Sequence, residues 1–408
     1  MLNILTFSTL YPNAATPHHG IFTATALRQQ LRTGDVRATV VAPVPWFPSG
    51  APLFGRYAGY ARVPREEEHG GVRVLHPRYP NPPGIGMYLA PLALARAARQ
   101  TVARLTADGN DFDLIDAHYF YPDGVAAVML GRALGKPVTI KALGSDINLL
   151  ARYRWPLRQM RWAARHCAAM TSVSQALKDE MTRLGMPAER IQVLRNGVDL
   201  DLFYPEPRAL ARARLGVDGF TLLSVGHLVE NKGHDKAIRA LALLDGVRLA
   251  IAGGGPERAR LEALAHRLGV AGRVRFTGVL EQAALRGWYS AADALVLASS
   301  REGWANVLLE AMACGTPALA SRVGGTAEVL TCRAAGLLLP DNSAPGIAAA
   351  VRALRADPPA RAATRAHAAR HSWHATTRAQ LDLFSGIAGR PPLSSPARPC
   401  TLETNCLT

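Results

Sequence analysis

The sequence predicts an α/β protein built from two Rossmann-like, doubly wound domains facing each other across a cleft. Three observations carry this. Short apolar runs alternate with helix-length stretches along most of the 408 residues, the pattern of parallel sheets covered on both faces. The alternation runs once in each half, so there are two such domains. Between the halves, the stretch Asn196-Gly-Val-Asp-Leu-Asp-Leu-Phe-Tyr-Pro-Glu-Pro207 interrupts the pattern with turn residues and prolines.

In the first half, residues 3–7, 38–42, 114–117, 138–141 and 169–173 read as strands. Helices are expected over 23–33, 90–106, 123–134 and 157–167. In the second half the strands are 221–225, 249–252, 274–276, 294–297 and 317–320, with helices over 235–244, 257–268, 282–291 and 307–314. The domains are placed at 1–200 and 201–370, with a helix over 371–388 crossing back to the first. Gly- and Pro-rich residues 43–64 and 79–86 read as long surface loops. Residues 389–408 are rich in Pro, Ser and Thr and read as a disordered tail.

Hydrophobic content of 49% with 19% charged residues is globular. No apolar run is long enough for a membrane-spanning helix. The opening residues Met1-Leu-Asn-Ile-Leu-Thr-Phe7 lack a basic n-region and a cleavage site and read as a strand, so a cytoplasmic enzyme is expected. Five scattered cysteines with no C-x-x-C pair argue against a disulfide framework and against structural zinc. The formal net charge of +16 points to an anionic partner: nucleic acid, anionic lipid or a phosphorylated substrate. An Arg- and Ala-rich composition would inflate the same count.

The most informative segment is Glu302-Gly-Trp-Ala-Asn-Val-Leu-Leu-Glu310. Ser299, Ser300 and Gly303 read as a loop opening into a helix, which places Glu302 before the helix N-terminus and Glu310 inside it. The free N–H groups between them form a cradle for an anion. A carboxylate for hydroxyls at each end suits a nucleotide-sugar; an amphipathic helix with two solvated glutamates has the same spacing. Other candidates also fall where strands end, the place where open α/β sheets gather ligands. They are the loop Tyr11 to Gly20, then His118, and Gly144-Ser-Asp146. In the second half they are Gly226-His227 with Lys232, and Gly253-Gly254-Gly-Pro256. Taken singly, each is equally an ordinary turn, a locally satisfied histidine or a solvated lysine.

Together these residues resemble the retaining GT-B glycosyltransferases of family 4. The C-terminal half carries Gly226…Lys232-Gly233, Gly253-Gly-Gly-Pro256, Glu302-x7-Glu310 and Gly324-Gly-Thr-Ala-Glu328. The first half carries Tyr11-Pro-Asn…Gly20-Ile-Phe, Ala117-His-Tyr, Gly144-Ser-Asp146, Ser172-Val-Ser174 and Asn196-Gly-Val-Asp199, and is similar to members that build cell-surface polysaccharides, including the teichuronic-acid type. The resemblance implies an acceptor-side first domain and a nucleotide-sugar-binding second one. It implies that Glu310 binds ribose hydroxyls and that Glu302 sits by the sugar's hydroxyls, with the amides of Asn306, Val307 and Leu308 at the sugar and diphosphate. Lys232 would neutralise the departing diphosphate, Gly20 would approach it across the cleft, and His118 would contact the sugar near the reacting carbon. Gly226, His227 and Gly254 complete the donor side.

The implied reaction is metal-independent hexosyl transfer from a UDP- or GDP-sugar to a glycan or lipid-linked acceptor, with retention and no cofactor. No Asp-x-Asp stands out as a metal site. One position departs from the family: His227 stands where arginine is usual. Arg195 is a candidate substitute on the phosphate side, and Asp146 a candidate on the phosphate or acceptor side.

In residues 154–165, Arg154, Arg158, Arg161 and Arg165 form a helical stripe flanked by Trp155 and Trp162. That composition suits the headgroup zone of anionic lipid and predicts a peripheral attachment to the inner face of the cytoplasmic membrane; a solvated helix is the alternative. A nucleic-acid binder would rest on charge alone, with no recognisable module. An epimerase or a phosphorylase can share the fold, but no lysine stands in a context suited to pyridoxal phosphate.

Overall fold

The structure is a computed structural model and describes residues 1–51, 53, 56–82 and 84–391. Residues 392–408, most of the expected tail, lie outside the described residues. The N-terminal lobe contains β1 (Leu2–Phe7), β2 (Val36–Val41), β3 (Val44–Pro45), β4 (Glu66–His69), β5 (Val72–Leu75), β6 (Arg78–Tyr79), β7 (Leu114–His118), β8 (Val138–Ala142), β9 (Ala169–Ser172) and β10 (Ile191–Val193). Eight of these form one sheet in the order β10-β9-β8-β7-β1-β2-β5-β4, and β3 pairs with β6. Within the large sheet only the β4–β5 pair is antiparallel.

The C-terminal lobe contains β11 (Phe220–Val225), β12 (Val247–Ala252), β13 (Val274–Gly278), β14 (Ala294–Leu297), β15 (Ala318–Ala320) and β16 (Gly336–Leu338). They form a parallel sheet in the order β13-β12-β11-β14-β15-β16. The central strands are covered on both faces: every residue of β7, β8 and β14 is buried. That burial explains the apolar run of β14, while β7 and β8 also bury Asp116, His118, Thr139 and Lys141. The fold class expected from the sequence is the one observed.

Both sheets have a topological switch point. Strand β1 lies between β2 and β7, and β11 between β12 and β14. Chain direction diverges there, and the loops leaving the carboxyl ends part to open a crevice. In the N-terminal lobe these are the loops after β1 and β7; in the C-terminal lobe, those after β11 and β14. The helix Trp373–Ile387 lies on the N-terminal lobe, where Leu381 and Phe384 pack with Leu2, Ile4, Val36 and Leu114. Val198 and Ser372 bridge the two crossings of the chain.

Several elements differ from expectation. Residues 43–64, read as a loop, contain β3 and the helix Arg56–Arg62, and residues 79–86, also read as a loop, begin on the last residue of β6. The long helix begins at Gly86, four residues before its expected start. Strand β4 (Glu-Glu-Glu-His) has no apolar face and is held by pairing with β5, so hydrophobic periodicity could not reveal it.

Candidate active site

The loop after β14 carries Glu302, and its backbone is clamped from both lobes. A Cβ at Gly324 would overlap the Glu302 carbonyl oxygen, and one at Gly303 would overlap the Leu143 carbonyl oxygen of the N-terminal lobe. Gly325 N–H donates to the Gly303 carbonyl (3.1 Å). The Gly324-Gly-Thr-Ala-Glu328 segment therefore props the Glu302 loop, and Gly144 stacks against Gly303 from across the cleft. We expect Gly303→Ala to push the lobes apart at a cost of about 1–3 kcal/mol. Small-angle scattering should report an expanded particle, and kcat/KM should fall at least about tenfold for the same cost.

Glu302 is nearly buried, and its Oε1 accepts from Lys232 Nζ at 2.7 Å. Lys232 ends a 3-10 turn, Glu230–Lys232, closed by Gly233 at φ 69°. Thus the loops of the two switch strands β11 and β14 present one cation and one carboxylate as a contact pair. Eight residues on, the half-buried Glu310 accepts the Tyr289 hydroxyl at 2.8 Å. Burial pushes the Glu310 carboxyl up to about 7, with the Tyr289 hydrogen bond opposing.

The helix Asn306–Ala313 has no side-chain cap. Among the described residues, no hydrogen bond uses the N–H groups of Asn306 and Val307, which fits an anion cradle. Leu308 differs from expectation: its N–H donates to the Ala305 carbonyl at 3.0 Å, because the first turn tightens there.

Glu310, Asn306 and Val307 line an interlobe cavity of about 280 Å³ together with His18, Arg28 and Leu280. A neighbouring cavity of about 570 Å³ is lined by Gly226, His227 and Gly254 opposite His18 and His19. Gly20 opens the helix Ile21–Leu31 with φ 68°, and a Cβ there would overlap the Leu10 backbone. Its glycine is set by that turn. Gly253 and Gly255 are likewise set by loop packing: their Cβ positions meet the carbonyl oxygens of Gly226 and Leu228. Of the three, Gly253 and Gly254 line the cavity.

His118 ends β7 and is buried, with Nε2 2.9 Å from Asp116 Oδ2. Burial pushes Asp116 up, but His118, Thr139 and Lys141 outweigh it and hold the carboxyl below its ordinary range. The carboxylate therefore accepts, and Nε2 carries the proton. Asp116 is fixed in turn by Thr139 Oγ1 (2.8 Å) and by Gln380 Nε2 (3.3 Å) from the helix Trp373–Ile387. Residues 116 and 118 share a strand face, a signal present in the sequence but not read there. Asp116→Asn should free the imidazole to take the other tautomer; we expect kcat to drop about 100-fold with nucleotide affinity unchanged by calorimetry.

Two further candidates are engaged elsewhere. Asp146, expected to face phosphate or acceptor, is fully buried. It accepts the N–H groups of Phe120, Leu143, Gly144 and Ile147, and so shapes the loop that meets Gly303. Burial raises its carboxyl while those amides oppose. Arg195, the candidate substitute for the missing arginine, holds Glu328 through Nη2 at 2.6 Å and Nε at 2.9 Å. Glu328 also accepts the N–H groups of Gln175 and Ala176, making an interlobe latch. Asp-x-Asp does occur twice, and both stretches are tied to basic partners. Asp111 binds Lys136 and Asp113 binds Arg390; Asp199 and Asp201 face Arg32.

The expected membrane stripe is only partly free. Arg154, Trp155, Arg158 and Arg165 are exposed, and Arg158 lies over the Trp155 ring at 6.0 Å. Arg161 donates to the Leu184 carbonyl (2.7 Å). Trp162 packs partly into the core beside His166.

A cation–carboxylate pair and a second carboxylate at an interlobe crevice between two doubly wound lobes define a GT-B glycosyltransferase. Comparisons with known proteins agree. The glycosyl transferases group 1 family matches residues 208–371, and glycosyltransferase family 4 matches residues 23–202. A D-inositol 3-phosphate glycosyltransferase of Catenulispora acidiphila is 30% identical over 83% of this chain and 88% of its own. The putative teichuronic acid biosynthesis glycosyltransferase TuaC of Bacillus subtilis is 28% identical over 86% and 88%. Among solved structures, sucrose-phosphate synthase from Thermosynechococcus elongatus superposes with a TM-score of 0.78 at 22% identity, covering 95% of this chain and 99% of that one. HepE of Anabaena, solved with UDP-glucose, superposes with a TM-score of 0.66 at 21% identity, covering 95% and 99%. The chain belongs to the group 1, family 4 glycosyltransferases. Among the described residues, no helix is long and apolar enough to cross a membrane.

Proposed function

We propose that the protein moves a sugar from a UDP- or GDP-sugar to a carbohydrate or lipid-linked acceptor, with retention and without a metal, in cell-envelope polysaccharide or glycolipid synthesis at the inner face of the cytoplasmic membrane. The observation that carries this is the Lys232–Glu302 pair at the switch point, one helix entry away from Glu310. Glu310 accepts the two ribose hydroxyls, and the free amides of Asn306 and Val307 receive the sugar and diphosphate side. As the anomeric C–O bond breaks, negative charge grows on the departing phosphate, and Lys232 Nζ stabilises it. The sugar passes through an oxocarbenium-like state with Glu302 at its hydroxyls and His118 beside the reacting carbon. The acceptor attacks on the face the phosphate leaves, and its proton passes to a phosphate oxygen. Neither glutamate acts as a hydrolase nucleophile. Closure of the lobes excludes water, so hydrolysis is suppressed.

TuaC and the UDP-glucose complex of HepE support the donor and acceptor classes chosen here. The test is anomeric NMR of the product formed from each nucleotide-sugar, with and without chelator. A retained anomer formed equally well with chelator supports the reading. Inversion, or nucleotide release that needs no acceptor, overturns it.

A further inference from the structure

Among the described residues, seven large apolar side chains left in solvent fall in two segments of the N-terminal lobe, 85–92 and 149–155. On the helix Gly86–Ala107 and its preceding residue, Ile85, Tyr88, Leu89 and Leu92 are between 40% and 57% exposed. Their spacing of three and four residues makes one stripe along the helix. The opposite face, with Leu94, Ala98 and Val102, is the one that packs into the core. The stripe is continued by the exposed Arg96 and Arg99.

This face meets the helix Arg154–His166. Gln159 Nε2 donates to the Tyr88 carbonyl at 3.5 Å. One turn before Gln159 stands Trp155, 52% exposed, and just before the helix stand the exposed Tyr153 and Leu149. Exposed apolar side chains from two adjoining helices therefore form one patch. Solitary exposed leucines are ordinary; a stripe joined to a second aromatic cluster is not.

The two segments that build the patch carry charge of one sign. Neither 86–107 nor 149–166 contains a single Asp or Glu, while Arg96, Arg99, Arg154 and Arg158 are exposed beside it. A second copy docked through these same two segments would set arginine against arginine. A surface of anionic lipid fits instead: the leucines and Trp155 reach the acyl boundary and the guanidinium groups meet phosphates.

We propose that this patch is a docking surface for an anionic bilayer, with the stripe Ile85–Tyr88–Leu89–Leu92 as its apolar wedge and Trp155 as its aromatic anchor. The wedge thus lies on a helix other than the arginine-rich one. The inference deepens the peripheral placement proposed above, and a vesicle assay reads it without any glycosyl transfer, so the two fail separately.

The experiment is co-sedimentation of the full chain with phosphatidylglycerol-containing vesicles and with pure phosphatidylcholine. Binding to the anionic vesicles is expected, weakened by salt. Leu89→Ser with Leu92→Ser should reduce partitioning at least about tenfold, in line with two leucines losing their burial. Arg96→Gln with Arg99→Gln should remove the preference for anionic lipid. Brominated lipid should quench tryptophan emission in the wild type and less in Trp155→Phe. Circular dichroism and nucleotide binding of each variant establish that it is folded. Three results would overturn the proposal: no anionic-vesicle binding at low salt, wild-type binding by the double serine variant, or a dimer in sedimentation velocity that the serine variant dissolves. The last would assign the face to a second copy.

Discussion

Lys232→Ala should lower kcat by about 100- to 1,000-fold, the loss of roughly 2.7–4 kcal/mol expected when one preorganised donor to a developing anion is removed. The ammonium sits 2.7 Å from Glu302 Oε1, in a crevice where both side chains are largely covered. Its position is set by the fold, because Gly233 tucks the turn against the Ala298 backbone. Arg195 is bound to Glu328 and position 227 is a histidine, so neither of those positions replaces the charge. Removing Lys232 also strands the Glu302 carboxylate near the diphosphate, which raises KM by repulsion. Adding Glu302→Gln to Lys232→Ala should therefore recover part of KM while leaving kcat low. Steady-state kinetics on the two single variants and the double separates these effects. A kcat for Lys232→Ala within about threefold of wild type is incompatible with a role on the leaving group.

How much of this was legible in the sequence depends on how local the physics is. The strands that carry the site are buried on both faces, so β14 announces itself as an apolar run and β7 as a shorter one broken by Asp116, and the loop-to-helix switch at 302–310 follows from Gly303 and the helix formers after it. The position of a residue at a strand end was readable; the direction of its side chain was not. Asp146 stands where a ligand group was expected, yet it turns inward because three N–H groups of its own loop, and that of Phe120 after β7, need an acceptor. Leu308 was counted as a free donor because a helix entry was assumed to be regular, and a single tight turn took that N–H away. The Tyr289–Glu310 and Arg195–Glu328 contacts join residues 21 and 133 positions apart, and no periodicity connects such pairs. Arg28 lines the crevice from a helix whose pattern only says that it packs on a sheet. The exposed stripe at 85–92 escaped for a related reason: an amphipathic stretch reveals an apolar face but not whether the fold covers it.

Glu310→Gln should have opposite effects on stability and on nucleotide binding, and pH should switch the first of them. Burial raises the carboxyl from an ordinary 4.5 to about 7. Between those values the folded state holds a proton that the unfolded chain has released. Ionised Glu310 therefore destabilises the fold above pH 7, by up to about 3 kcal/mol at 1.36 kcal/mol per unit. That cost shrinks as pH falls through 7 and is gone below 4.5. Glutamine never carries it, so at pH 8 the variant should unfold at higher denaturant than wild type, and at pH 5 the two should nearly coincide. Ribose hydroxyls donate to the ionised form, so nucleotide binding should favour the carboxylate and release a proton. Wild-type Kd for the nucleoside diphosphate should then rise about tenfold per unit as pH drops below 7. The variant's Kd should be weaker at pH 8 by at least about tenfold, the cost of a lost charge-assisted pair of hydrogen bonds, and it should not follow that slope. Calorimetry in buffers of different ionisation enthalpy counts the proton. A variant that binds nucleotide as wild type does, or a wild-type Kd flat from pH 8 to 6, would remove Glu310 from the ribose. Greater stability at pH 8 alone would still mark it as a buried acid, kept there against the preference of the fold.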